Sequence, residues 1–98
     1  MAKYLNNGEE FPEIINQDKV LIDFYADWCG PCKMLGPVLD NINIIPIVEV
    51  NVDTFPSLAQ EYKIMSIPAL LLFEKGKLVH QEVGFHNQDE LEKMINNY

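Results

Sequence analysis

The sequence holds two cysteines, Cys29 and Cys32, both inside the run ADWCGPCKML from Ala26 to Leu35. Two thiols at this spacing can serve as a metal hook, a structural staple or a redox couple. A structural zinc site wants four Cys or His ligands, and this pair supplies half a set. The chain's histidines, His80 and His86, stand far downstream without metal-helix or knuckle spacing. A zinc or iron–sulfur site would therefore need a second chain. As a staple the pair is weak, because stabilisation grows with the loop closed and this loop is near the smallest useful one. Thiol–disulfide exchange is what the spacing favours. Cys29 stands where an apolar run ends, and Cys32 falls in the first turn of the helix expected next. A thiol at a helix start meets unpaired N–H groups and the positive end of the dipole, which favour the thiolate. The thiolate is the form that attacks a disulfide. Pro31 fits a first helical turn, and Gly30 lets a substrate backbone come close.

The elements that must hold this pair can be read from hydrophobic pattern. KVLIDFYA (Lys19 to Ala26) is short and almost continuously apolar, as in a strand buried on both faces. IIPIVEVNV (Ile44 to Val52) reads the same way, with Pro46 tolerated near its start. ALLLFEKGKLVHQEV (Ala69 to Val83) breaks at Lys75-Gly76 and reads as a β-hairpin. MAKYL offers a short first strand. Helices are expected over Glu9 to Asn16, with Phe11, Ile14 and Ile15 on one side, and over Pro31 to about Ile42. The second carries Met34, Leu35, Val38, Leu39 and Ile42 as its apolar face, with Pro37 set to kink it. A shorter helix is expected over Ser57 to Tyr62. The last starts at Asn87, with Glu90 three positions on and Leu91, Met94 and Ile95 facing inward. Parallel strands joined by helices, then an antiparallel hairpin, imply a mixed sheet covered on both faces.

Asp23 interrupts an apolar strand. It is either a residue at a strand edge or a buried carboxylate, which would hold its proton more tightly than usual and could exchange it with Cys32.

Composition narrows the classes of function. With 98 residues, 48% hydrophobic and 22% charged, the chain is globular and long enough for one self-supporting core. A net charge of -8 with scattered basic residues argues against a nucleic-acid surface. No uninterrupted apolar run of about 18 residues is present to span a membrane. The N-terminus has no apolar stretch of signal-peptide length, so a cytosolic address is the default expectation. Disulfides there are usually transient and catalytic.

WCGPC after an apolar strand resembles the thioredoxin family. The resemblance runs along essentially the whole chain: VLIDFYADWCGPCKMLGPVLD, VEVNVD, SIPALLLFEKGK and VGF fall in the family's order. It implies an α/β thioredoxin fold over residues 1–98 as a single domain. A mixed central sheet of four to five strands would be flanked by about four helices in three layers. It further implies that Cys29 is the nucleophile and Cys32 the buried resolving thiol. Asp23 would lie beneath them and exchange a proton, and Trp28 would flank the disulfide, with Gly30 and Pro31 completing the active-site loop. Pro68 would be cis and face the cysteines, Ile67 would offer backbone hydrogen bonds to an extended substrate, and Gly84 would complete an apolar docking surface.

The same resemblance implies a protein-disulfide reductase; a cytoplasmic address and a monomer are the default expectations, with the oligomeric state open. Its substrates would be disulfide-containing proteins, with no nucleic acid or membrane partner. It would bind no cofactor or metal beyond the redox-active Cys29–Cys32 disulfide, and NADPH would reach it only through a thioredoxin reductase. Gly30-Pro31 speaks for a reductant, since oxidases and isomerases of the fold commonly place a histidine between the cysteines. An isomerase or oxidase, or a binding module with incidental thiols, are the competing readings. Simpler roles stand beside several residues: Trp28 as core, Lys33 as a solvated helix residue, His86 as surface. Two departures from the family stand out. The stretch between CGPCKMLGPVLDNI and IVEVNVD is several residues shorter than in typical bacterial members. Glu49 stands where they usually carry a lysine beside the buried aspartate, which is expected to raise the midpoint at which Asp23 titrates.

Overall fold

The computed structural model describes residues 2–98. Five strands form one mixed sheet: β1 (Lys3–Tyr4), β2 (Val20–Tyr25), β3 (Ile47–Asn51), β4 (Ala69–Glu74) and β5 (Lys77–Val83). Their spatial order is β1-β3-β2-β4-β5. β1, β3 and β2 run parallel, β4 is antiparallel to β2, and β5 is antiparallel to β4. Met1, the first residue of the expected strand MAKYL, lies outside the described residues.

β2 occupies the middle of the sheet, where both faces are covered. That is why its sequence runs apolar without alternation. Val20, Ile22 and Phe24 face one way, into a cluster with Phe11, Val48, Val50, Ala69, Leu71 and Phe73. Helix α1 (Phe11–Ile15), entered through the 3-10 turn Gly8–Glu10, and helix α3 (Pro56–Glu61) close this side. Leu21 faces the other way, with Leu70, Leu72, Leu35, Leu39, Leu91 and Ile95. Helices α2 (Gly30–Asp40) and α4 (Gln88–Asn96) supply the last four of those residues and form the third layer. This is the expected three-layer arrangement, with five strands and four α-helices among the described residues.

Boundaries differ from expectation by a few residues, each for a local reason. Helix α2 ends at Asp40 rather than near Ile42, which is buried in the turn that follows. Strand β3 starts at Ile47, after Pro46, and Ile44 is exposed rather than part of it. Met34, expected on the apolar face of α2, is 62% exposed. The inward stripe is Cys32, Leu35 and Leu39, at helical spacing, and Met34 sits one position off it. The hairpin turn falls at Lys75-Gly76, both with positive φ (51° and 86°), as a two-residue turn of this kind requires. Its strain is held by the end of α1: Lys75 N–H donates to the Gln17 carbonyl at 2.9 Å and Gly76 N–H to that of Ile15 at 2.7 Å. At α4 the expected capping box is complete. The Glu90 N–H donates to the Asn87 side chain, and the Asn87 N–H donates to the Glu90 carboxylate, each at 2.9 Å.

Candidate active site

The start of α2, reached by a short loop from the end of β2, carries both cysteines. Cys29 has extended backbone and caps α2, and its sulfur accepts the Cys32 N–H at 3.3 Å. One of the free donors of the helix start thus points at sulfur, which stabilises negative charge there. Pro31 sits in the first turn, where no backbone donor is needed. Cys29 and Cys32 are joined as a disulfide. Both are nearly buried, at 5% and 6% exposure. They pack with Ala26, Tyr25, Val52 and Ile67.

Four surrounding segments complete the setting. Trp28 is 70% exposed, which overturns the reading of it as core. Its indole N–H donates to the Asp53 carboxylate at 2.9 Å, so a residue just past β3 holds the ring. Asp53 carries no sequence signal. It stands 25 residues from Trp28, and only the parallel pairing of β2 with β3 brings them together. The Ile67–Pro68 peptide bond is cis, Pro68 is buried, and the Cys29 sulfur lies 3.8 Å from the Ile67 carbonyl oxygen. Gly84, with φ of 89°, donates its N–H to the Pro68 carbonyl at 2.8 Å. Ile67 thus packs against the cysteines, Trp28 adjoins Cys29 in the chain, and Gly84 is tied to the cis-proline segment. Met65, almost fully exposed two residues before Ile67, adds an apolar group that the sequence reading did not single out. Lys33 is exposed on α2. His86 is half-buried, with Nδ1 3.1 Å from the Gly84 carbonyl oxygen and Nε2 3.6 Å from the Glu82 carboxylate.

Asp23 lies in the central strand, fully buried at 0% exposure. It is therefore not a strand-edge residue. No backbone N–H or other fixed donor reaches either carboxyl oxygen among the described residues; the group placed to share a proton with Asp23 is the Glu49 carboxyl. Glu49, 8% exposed, is the register neighbour of Asp23 on β3. Adjacent strands lie about 4.8 Å apart, so two carboxyl groups share one side of the sheet. They can hydrogen-bond only if one of them holds a proton. Burial pushes the Asp23 carboxyl well above the usual range, and the neighbouring Glu49 carboxyl adds to this. Burial also raises Glu49, with Asp40 contributing, while its hydrogen bond with Asp23 pulls the other way. The site thus holds a carboxyl pair that resists joint ionisation. Glu49→Lys is expected to lower the midpoint of Asp23, because an opposite charge would replace a like one. Carbon-detected NMR titration of the Asp23 carboxyl in both proteins measures it, and an unchanged midpoint would contradict the account.

Among the described residues no group of three or more His, Cys, Asp or Glu side chains is placed to hold a metal ion. No helix among them is long and apolar enough to cross a membrane.

The comparisons with known proteins agree with this geometry. The thioredoxin family model matches residues 3–97. A thioredoxin of Chlamydia caviae is 44% identical over 96 residues, covering 94% of each chain. A thioredoxin of Mycoplasmoides gallisepticum is 36% identical over 98 residues, covering 95% of this chain and 98% of its own. Among solved structures, a mutant thioredoxin of Halobacterium salinarum superposes with a TM-score of 0.90 at 36% identity, covering 99% of this chain and 90% of its own. Mitochondrial thioredoxin 3 of Saccharomyces cerevisiae in its oxidised form superposes with a TM-score of 0.85, also at 36% identity, covering 99% and 95%. A sulfur pair on a helix start, in this fold and with these relatives, is a dithiol–disulfide couple: the chain belongs to the thioredoxin family and is a dithiol–disulfide oxidoreductase.

Proposed function

We propose that residues 1–98 act as one domain that reduces protein disulfides in the cytoplasm and is recharged from NADPH through a thioredoxin reductase. The observation that carries this reading is the Cys29–Cys32 disulfide at the N-terminus of α2, with Ile67 packed against it and the exposed Trp28 beside Cys29 in the chain. In the reduced protein the Cys29 thiolate is stabilised by the helix N–H groups and attacks one sulfur of a substrate disulfide. The old disulfide breaks, its second sulfur leaves as a thiolate, and a mixed disulfide joins Cys29 to the substrate. Cys32 loses its proton toward Asp23 and attacks the Cys29 sulfur. The Cys29–substrate bond breaks, the substrate leaves reduced, and the Cys29–Cys32 bond returns.

Substrate selection rests on surface rather than on a deep pocket. An extended segment laid along Ile67 and Pro68 would pair with backbone and bury apolar side chains against Trp28 and Gly84. Because Trp28 is largely exposed, its ring is available to such a partner, and the Asp53 hydrogen bond fixes its angle. No metal or organic cofactor takes part in the exchange itself, and the chain works as a monomeric electron carrier.

The test is NADPH oxidation in a mixture of a bacterial thioredoxin reductase, the chain and a protein with reducible interchain disulfides. Turnover is expected with the wild type and absent with Cys29→Ser. Trp28→Ala is expected to raise KM for the protein substrate several-fold, as loss of an exposed aromatic contact does. No NADPH consumption by the wild type, with the dithiol intact, would overturn the reading of a reductase-fed reductant.

A further inference from the structure

The Asp23–Glu49 carboxyl pair, whose Glu49 lines one groove with Cys32, has an unequal connection to solvent. Asp23 has no exposed surface, and no fixed donor among the described residues reaches its oxygens, so the Glu49 carboxyl is the partner with which it can exchange a proton. Glu49 lines an open groove of about 420 Å³ whose wall also includes Cys32, Lys33 and Gly36 of α2. A proton leaving Cys32 for Asp23 therefore enters a site closed to solvent, and Glu49 is the ionisable neighbour that reaches the groove. We propose that Glu49 is the proton exit of the site: it takes the proton that Asp23 passes on when Cys32 is deprotonated, and releases it to water in the groove. This rests on the reading of Cys29 and Cys32 as nucleophile and resolving thiol.

During resolution the Cys32 S–H proton goes to the Asp23 carboxyl, and the proton already held there moves to the Glu49 carboxylate. The sulfur electron pair of Cys32 forms the bond to Cys29. The Cys29–substrate bond breaks, and its electron pair leaves on the substrate sulfur, which takes a proton from solvent. Both cysteines end oxidised, the substrate thiol ends reduced, and Glu49 returns its proton to the groove. Because the pair resists joint ionisation, Asp23 alone is a poor acceptor at neutral pH, and a neighbouring carboxylate able to take its proton removes that obstacle.

Several groups around Glu49 set its charge. On β1, Tyr4 is its register partner, and the Glu49 charge raises the phenol's affinity for its proton. On β2, Asp23 and Tyr25 face the same side. Asp27 and Lys33 line the groove, Lys33 being the cation among its lining residues, and Asp40 acts on Glu49 from the end of α2.

The experiment separates attack from resolution. The reduced protein is mixed by stopped flow with a symmetrical aromatic disulfide, which releases one coloured thiolate when Cys29 attacks and a second when Cys32 resolves. In Glu49→Gln the first phase is expected to be unchanged. The second is expected to slow by about tenfold at pH 7, one decade below what a positioned base supplies as a whole. The deficit should close as pH rises and Asp23 ionises without help. Glu49→Asp should recover part of the rate. A wild-type proton inventory in mixtures of H2O and D2O should curve, because two protons move together, and should become linear in Glu49→Gln. That measurement on the wild type holds even if a variant folds poorly. A second phase insensitive to Glu49→Gln, or a linear wild-type inventory, would overturn the relay while leaving the exchange mechanism intact. A missing first phase in the wild type would instead overturn the reading on which the relay rests.

Discussion

Cys29→Ser is expected to lower disulfide reduction to the level of the no-protein control, while Cys32→Ser should trap the reaction halfway. The two outcomes differ because the cysteines take successive steps. A serine hydroxyl has no base beside it here and does not attack a disulfide. In Cys32→Ser the Cys29 thiolate keeps its helix N–H environment, so attack proceeds. Without the second sulfur the mixed disulfide persists, visible by mass spectrometry as substrate covalently attached at Cys29. If Cys32→Ser yields no adduct and Cys29→Ser does, the roles given to the two cysteines are reversed. The same adduct offers a direct route to partners, because physiological substrates would remain attached to the trapping variant.

Asp23→Asn is expected to stabilise the oxidised fold at neutral pH, because the amide does not ionise; each pH unit between the unfolded and the raised folded midpoint contributes about 1.4 kcal/mol. The sign follows from proton binding. Burial raises the folded-state pKa of Asp23 above its unfolded value. Over the interval between the two, the native chain holds a proton that the unfolded chain has released. Stability of the wild type therefore falls as pH climbs from the ordinary carboxylate range, about 3.9, through the raised value. The variant carries no such penalty. Its advantage should vanish below about pH 3.9, where both states of the wild type are protonated, and be largest above the raised midpoint. Thermal melts across pH measure this directly, since each kcal/mol moves Tm by about 4–8 °C in a domain of this size. An advantage that did not change with pH would mean that the effect is packing rather than ionisation. Reduction at neutral pH should fall in the same variant, so stability and activity move in opposite directions at one residue.

How much of this was legible in the sequence depends on the range of the cause. The cysteine pair, the strand before it and the helix after it are set by local pattern, and all three lie where that pattern places them. So do the Lys75-Gly76 turn and the Asn87–Glu90 capping box, whose partners are within three residues of one another. The helix periodicity of α2 was legible for Leu35 and Leu39 but not for Met34, which lies close enough to the inward stripe to be mistaken for it. Pairings set by sheet register were not readable from local signal. Asp23 meets Glu49, and Trp28 meets Asp53, only because β2 lies parallel beside β3. Family resemblance supplied the first of these neighbours and not the second. The expectation of a cis bond at Pro68 likewise came from resemblance, since no local feature of SIPALL distinguishes a cis proline from a trans one. The cluster of His80, Glu82 and Tyr98 beside α4 was not foreseen either. There the His80 ring lies 2.8 Å from both the Tyr98 hydroxyl and the Glu82 carboxylate, joining an edge strand to the residue that follows α4 by two positions.

The most direct test of the central claim, that the Cys29–Cys32 couple donates electrons to protein disulfides, is its midpoint potential at pH 7, measured by equilibration against a reference thiol buffer. The account predicts a value near the roughly -270 mV of a thioredoxin, low enough to reduce most exposed disulfides. A value between about -180 and -120 mV would place the couple with isomerases and oxidases, and would contradict the direction of electron flow assigned to this chain.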